Sequence, residues 1–193
     1  MNQKIIPDPT SASTTTSQPE ANTIENFSSD RGLGRKPASS LPQGMEADSK
    51  VIATLNELIE TSMDGEKGFA LAADDSKDAA LTNVFREGEQ SCRTAAAELQ
   101  DQVRLLGGNP ETDGSMKAAV HRGWISLKSA ASSRDNKAIL EECEHGEDYA
   151  KAKYAEALRQ DLPPEARALV ERQYQGVVAN HDRIRDLRNQ YRS

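Results

Sequence analysis

Aromatic residues make up only 4% of this sequence, and hydrophobic residues of all kinds 36%. Because strands are enriched in β-branched and aromatic side chains, this composition argues against a β-sandwich or a β-barrel. Cysteine is equally scarce, since Cys92 and Cys143 are the only two and form no Cys-x-x-Cys pair. They make neither a disulfide framework nor a structural zinc site. We therefore expect a reduced, cytoplasmic protein.

Long apolar runs and an excess of basic charge are also missing. No stretch approaches the ~20 apolar residues that a membrane-spanning helix requires. Residues 1–9 hold only the apolar pair Ile5-Ile6, which is too short for a secretion signal. The net charge is −7, whereas binding to a nucleic-acid backbone needs a basic surface. We expect a soluble protein that is not exported, spans no membrane and binds no nucleic acid.

The first 47 residues are rich in serine, threonine, proline, asparagine and glycine, and they show neither helical nor strand periodicity. The run from Thr10 to Ser17 consists almost entirely of hydroxyl residues. Such a segment cannot bury enough apolar surface to offset the entropy lost on ordering. The sequence therefore predicts a disordered, low-complexity tail over residues 1–47 and one folded domain over residues 48–193.

From residue 48 onward, apolar residues recur at spacings of three and four, which is the period of an amphipathic helix. This spacing predicts four long helices, at residues 48–74, 77–106, 135–160 and 163–190. Strong local signals mark two of the boundaries. Gly107-Gly108-Asn109-Pro110 ends the second helix, and Pro163-Pro164 opens the fourth.

The connections between the helices predict how the chain runs. The first link and the last are short, so each pair of helices forms an antiparallel hairpin. The middle link has about thirty residues and contains a further predicted helix at 114–131, which we expect Trp124 to anchor. This is the single-crossover arrangement of ferritin-like bundles. The predicted fold is an all-α, ferritin-like antiparallel four-helix bundle with a short crossover helix between the second and third long helices.

Carboxylates interrupt the apolar stripes of these helices. Glu66, Glu89 and Glu147 lie within the stripes, Glu66 between Ser62 and Phe69, and Glu144 precedes Glu147 by one turn. Burying an unpaired carboxylate is costly, and ferritin-like bundles offset that cost with metal ions held by glutamates and Glu-x-x-His motifs. At a rise of 1.5 Å per residue, these glutamates and His181 reach nearly the same level of the bundle. The five residues are therefore candidate ligands for iron or manganese.

The ligand set is incomplete, which leaves a second interpretation open. The second helix has Glu89-x-x-Cys92 where Glu-x-x-His is expected, and the fourth has Val178-x-x-His181. The glutamates could instead lie at the edges of the stripes and pair with cations, which would be Arg93, Lys67 or Arg183.

No catalytic residue is predicted. Cys92 and Cys143 lie on apolar stripes and are expected to be core residues, because a reactive cysteine needs a setting that lowers its pKa. His121 lies close to Trp124 in the sequence, but no partner that would orient it for catalysis is visible.

Five short runs of the sequence carry a family resemblance. They are Leu140-Glu-Glu-Cys-Glu-His-Gly-Glu-Asp148, Asp161-Leu-Pro-Pro-Glu165, Ala168-Leu-Val-Glu-Arg-Gln-Tyr174 through His181-Asp182, His121-Arg-Gly-Trp124 and Leu105-Leu-Gly-Gly108. With these runs, the chain resembles a bacterial ferritin-like four-helix-bundle family of unknown function over about residues 50–190. The resemblance implies the bundle fold and no established activity. The di-metal ligand set belongs to the wider ferritin-like group and is matched at Glu66, Glu89, Glu144 or Glu147, and His181.

Three functions remain open at this point. The preferred one is a non-catalytic bundle that acts by assembling into a homo-oligomer or by binding a protein partner, with a link to stress survival by analogy with ferritin-like proteins. The second is a metal-binding or redox bundle with a reduced ligand set. The third is a helical protein associated with lipid or the cell envelope and tethered by its tail. The metal content of the purified protein would separate the first two.

Overall fold

The structure is a computed structural model, and it describes residues 43–112 and 135–191. These residues form four α-helices, which are α1 (Gln43–Asp75), α2 (Ala79–Leu105), α3 (Asn136–Ala157) and α4 (Pro164–Gln190). The prediction of an all-helical chain is confirmed for this part of the sequence. The predicted crossover helix at 114–131, with Trp124 and His121, lies outside the described residues, as does the predicted tail up to residue 42.

The observed helix ends differ from the predicted ones by at most five residues. The largest difference is at α1, which begins at Gln43 and so corrects the predicted start at residue 48. Glu46 lies in the first turn of α1, where its negative charge meets the positive end of the helix dipole. Residues 43–47 therefore belong to the first helix and not to the predicted tail.

Capping side chains and one glycine set the helix ends. Asp78 precedes α2 and accepts hydrogen bonds from the backbone N–H groups of Ala80 and Leu81, at 2.8 and 3.4 Å. Asp135 caps α3 in the same way, and both caps satisfy N–H groups that have no partner within the helix. After α2, Gly107 has a φ of +73°, a left-handed conformation that glycine adopts at little cost.

Neighbouring helices run antiparallel. α1 packs along α2 and along α3, and α3 packs along α4, while α2 and α4 touch at few points. The end of α1 lies beside the start of α3, where Ser76 Oγ is 3.5 Å from Asn136 Oδ1. Farther back along α1, Glu57 pairs with Lys153 of α3. α3 therefore runs opposite to α1 and parallel to α2.

Two apolar clusters fill the interior, one on each side of a polar layer. The first cluster consists of Phe69, Ala72, Ala73, Leu81, Val84, Phe85, Ile139, Leu140, Cys143 and Ile184. The second cluster consists of Val51, Leu55, Leu58, Ile59, Leu99, Val103, Tyr154, Ala157, Leu162, Ala166 and Val170. Polar residues are buried between these clusters, including Ser62, Asp64, Glu147 and Gln173. Every helix thus passes from one cluster to the other through a stretch with polar side chains.

Candidate ligand-binding cavity

A cavity of about 340 Å³ occupies the polar layer between the two clusters. It is lined by all four helices, at residues 61–65 of α1, 88–98 of α2, 146–154 of α3 and 172–180 of α4. The cavity is accessible to solvent, because its lining residues Gln90, Thr94 and Arg172 are exposed. Its volume falls in the range of small-molecule sites, roughly 300–1,000 Å³.

A hydrogen-bond network borders the cavity and reaches every helix. Tyr154 Oη on α3 lies 3.2 Å from Ser62 Oγ on α1, and it donates to Gln173 Oε1 on α4 at 2.9 Å. The Gln173 amide then donates to Glu98 Oε2 on α2 at 2.8 Å and to the backbone carbonyl of Ala95 at 3.2 Å. Burial raises the pKa of Tyr154 well above its ordinary value. Its hydroxyl therefore remains a proton donor at neutral pH.

Glu147 is a buried carboxylate in the cavity wall, with only 4% of its surface exposed. Its Oε1 accepts a hydrogen bond from Asn180 Nδ2 at 3.0 Å, whereas Oε2 has no hydrogen-bond partner among the described residues. Burial raises the pKa of Glu147 to about 7, opposed first by the hydrogen bond from Asn180. Asp148 raises this pKa further, and Lys151 lowers it. Near neutral pH the carboxyl is divided between its charged and neutral forms, and one oxygen can accept a further donor.

Two of the predicted metal ligands, Glu66 and Glu89, form ion pairs at the surface of α1 and α2. Both bind Arg93, with nitrogen–oxygen distances of 2.8 Å for Glu66 and 2.5 Å for Glu89. Glu89 also binds Arg86 at 2.7 Å, and the two arginines lower the pKa of its carboxyl. The pairing with Arg93 is the alternative that the sequence left open for these glutamates.

The other predicted ligands have separate partners. Glu144 forms an ion pair with Arg188. His181 Nε2 lies 2.9 Å from Asp148 Oδ1, and its Nδ1 lies 3.1 Å from Asp182 Oδ1. Within residues 43–112 and 135–191, no group of three or more histidine, cysteine, aspartate or glutamate side chains is arranged to hold a metal ion. Glu147 alone among the five lines the cavity, so the expected convergence on one donor set is not found in this part of the chain.

Both cysteines are free and pack against the first cluster. Burial is the main cause that raises the pKa of the Cys92 and Cys143 thiols well above the ordinary value. Because the thiolate is the reactive form, neither side chain is an activated nucleophile. The predicted core position agrees with the burial of Cys143, whereas Cys92 is partly buried and lines the cavity.

Three glycines in the cavity wall have different surroundings. A Cβ atom at Gly65 would lie 2.8 Å from Cys92 Sγ, and one at Gly88 would lie 3.0 Å from the ring of Phe69. These two glycines therefore allow α1 and α2 to approach closely. At Gly176 of α4, by contrast, a Cβ atom would meet nothing within 4 Å. Here the missing side chain leaves open space in the wall.

The polar network was not predicted from the sequence. Ser62 and Tyr154 are 92 positions apart, and Tyr154 and Gln173 are 19 apart, so helical periodicity alone cannot pair them. One sequence signal could have revealed this network. Several helices have a polar residue at a core-facing position, and these positions lie at the same height along the bundle. Such residues need partners when buried, and the nearest partners are each other.

The described residues thus form an all-α protein whose antiparallel helices line a partly polar, solvent-accessible cavity. The chain belongs to the family described as a domain of unknown function, DUF2383, whose model matches residues 50–160. The match includes α2, α3 and most of α1, and it ends before α4. The predicted membership of a family of unknown function is thereby confirmed. Comparison with curated proteins finds none that matches. Among the described helices, none combines the length and apolar character needed to cross a membrane.

Proposed function

We propose that this protein is a non-catalytic helical bundle that binds a small molecule in the cavity between its two apolar clusters. The observation that carries this proposal is the cavity of about 340 Å³, which all four helices line. Small-molecule sites are typically concave regions of this size that combine apolar surface with a few placed polar groups, and the lining of this cavity has both.

The polar groups around the cavity are better suited to hold a ligand than to transform one. Tyr154 and Gln173 are already bonded to each other and to neighbouring helices. The Cys92 thiol stays protonated because burial raises its pKa. General acid–base and nucleophilic catalysis need a reactive group with an oriented partner. The hydrogen-bond partner of Glu147 is the amide of Asn180, which cannot accept or release a proton at ordinary pH.

An iron- or manganese-binding bundle is the second candidate function. In its favour, Glu66, Glu89, Glu144, Glu147 and His181 come from four helices, as the wider ferritin-like ligand set does. Against it, arginines occupy the first three of these carboxylates and would have to move. Mass spectrometry of the purified full chain distinguishes the two functions. Stoichiometric iron or manganese that is lost on Glu66→Ala would favour the metal-binding function.

We further propose that the fold is of the ferritin-like class and that the protein is bacterial and cytoplasmic. Two antiparallel hairpins with parallel α2 and α3 support the fold class, and the two free cysteines support a reducing compartment. The bacterial origin rests on the family resemblance. Assembly with a second copy or a protein partner, and a role in stress survival, rest on analogy with ferritin-like proteins.

Blocking the cavity tests the proposed function. Gly176→Leu extends a side chain into the open space of the wall, and Gln175→Leu makes the same change at an exposed neighbour outside the wall. We would screen neutral, cationic and anionic fragments against the full chain by ligand-detected NMR and titrate the hits. We expect hits that bind the wild-type protein and Gln175→Leu alike and bind Gly176→Leu about tenfold more weakly, a loss of about 1.4 kcal/mol. If no fragment behaves in this way, the proposed function is wrong.

A further inference from the structure

Glu147 Oε2 is a buried oxygen in the cavity wall that has no hydrogen-bond donor among the described residues. Glu147 is buried, with 4% of its surface exposed. Its Oε1 accepts a hydrogen bond from Asn180, whereas no described residue donates to Oε2. Buried polar atoms in native proteins are nearly always paired. An unpaired one in the wall of a cavity large enough for a small molecule therefore points to a donor that a ligand supplies.

The charges around the cavity favour a positive ligand over a negative one. Among the described residues, the carboxyl groups of Asp64, Glu98 and Glu147 line the cavity, against the single guanidinium of Arg172. Arg172 is directed at Glu98, with a nitrogen–oxygen distance of 3.1 Å, so the guanidinium in the wall is already engaged with a carboxylate. An anion would meet an excess of carboxyl groups here. A cation would gain a charge-assisted hydrogen bond, which is stronger than a neutral one.

The side chains of the described residues favour an organic cation over a metal ion as the ligand of this cavity. A metal ion needs several ligand atoms around one point, and the described residues hold no such group of side chains. The wall also contains small and apolar residues that an organic group could contact, namely Ala95, Ala150, Gly176 and Val177.

We propose that the cavity binds a small organic cation, whose ammonium group donates a hydrogen bond to Glu147 Oε2 and whose apolar part lies against Ala95, Ala150 and Val177. This inference rests on the proposed function of small-molecule binding and specifies the charge of the ligand and its main contact. The other carboxyl oxygen, Oε1, keeps its hydrogen bond from Asn180.

The inference is tested with three probes that have nearly the same shape but different charges. They are benzylammonium, benzyl alcohol and benzoate. Each is titrated calorimetrically into the full-length wild-type protein, Glu147→Gln and Gly176→Leu. We expect benzylammonium to bind the wild type about tenfold more tightly than benzyl alcohol, and benzoate to bind most weakly. Glu147→Gln keeps an acceptor for Asn180 and removes the charge, so the preference for the ammonium should disappear while the affinity for benzyl alcohol changes by less than about twofold. Gly176→Leu should weaken both.

The outcomes separate this inference from the proposed function. Equal affinities of the wild type for benzylammonium and benzyl alcohol, or an ammonium preference that persists in Glu147→Gln, would overturn the inference of a cation and leave small-molecule binding in place. If none of the three probes binds, but other fragments bind and Gly176→Leu blocks them, the inference of a cationic ligand is wrong and the proposed small-molecule binding still stands. If nothing binds in either experiment, both fail. The comparison in the wild type needs no variant, so a variant that does not fold leaves the test intact.

Discussion

Among single residues, Glu147 links the stability of the fold to pH. Burial raises the pKa of this carboxyl in the folded protein to about 7, against an ordinary value of 4.5. Because the folded state binds the proton more tightly than the unfolded state, the carboxyl favours folding most below pH 4.5. That contribution is lost as the pH rises from 4.5 through about 7, and it changes little above that.

Glu147→Gln should remove this pH dependence. A pKa difference of about 2.5, at about 1.4 kcal/mol for each unit, corresponds to roughly 3 kcal/mol. We expect the variant to be more stable than the wild type by up to that amount at pH 8 and nearly equal to it at pH 4. Urea unfolding at pH 4, 6 and 8 measures the difference. The same change at exposed Glu171 of α4 is the control and should leave the pH profile unaltered. Parallel profiles for the wild type and Glu147→Gln would contradict the prediction.

Within the helices, two glycines of the cavity wall should respond in opposite ways to alanine. At Gly176 the new Cβ meets nothing within 4 Å, so the higher helix propensity of alanine should stabilise the protein by up to about 1 kcal/mol. At Gly65 the new Cβ would lie 2.8 Å from Cys92 Sγ, and overpacking of this kind typically destabilises by about 1–3 kcal/mol. Chemical denaturation measures both. Equal stability of the two variants would mean that α1 and α2 are not in close contact at Gly65.

Helix positions were predicted best where the sequence has an apolar stripe, and helix ends where it has a glycine or a proline. Apolar spacing located all four described helices, and Gly107 and Pro164 marked two boundaries to within about one residue. The start of α1 at Gln43 was missed because its first turn adds no apolar stripe. A helix start of that kind depends on local propensity and on the dipole interaction of Glu46, which periodicity does not detect.

The candidate site was predicted only in part. The rise per residue placed Glu147 at nearly the same level as the other candidate ligands, and the structure finds it buried between the two apolar clusters. The same calculation placed Glu66 and Glu89 at that level, but a level does not say in which direction a side chain points. Both point to Arg93 of α2. Pairing across helices depends on their rotation about their own axes, which a single sequence does not specify.

At the scale of the whole molecule, we expect the residues from 43 onward to fold without those before them. The composition of residues 1–42 cannot sustain an apolar core, so a chain beginning at Gln43 should melt at the same temperature as the full chain. A chain beginning at Ala53 lacks Val51, which is buried in the second cluster, and should melt several degrees lower. Circular dichroism provides the melting temperatures. A large decrease for the chain that begins at Gln43 would show that earlier residues contribute to stability.

The hydrogen-bond network beside the cavity connects all four helices, and Tyr154 is at its centre. Tyr154→Phe keeps the ring in the second cluster but leaves Ser62 and Gln173 without their shared partner. Loss of a partner for buried polar atoms typically costs about 1–3 kcal/mol. The control is Tyr174→Phe, since this half-buried tyrosine forms no hydrogen bond with the described residues, and its removal should change little.

Because the network reaches every helix, its loss should weaken the whole bundle and not one segment. We expect unfolding of Tyr154→Phe to remain a single transition at lower denaturant concentration. Native-state hydrogen exchange should become faster in α1, α2, α3 and α4 together, since amides protected by global unfolding report the global free energy. Faster exchange confined to α3, or a variant as stable as the wild type, would mean that the apolar clusters alone hold the helices together and that the network serves only the cavity.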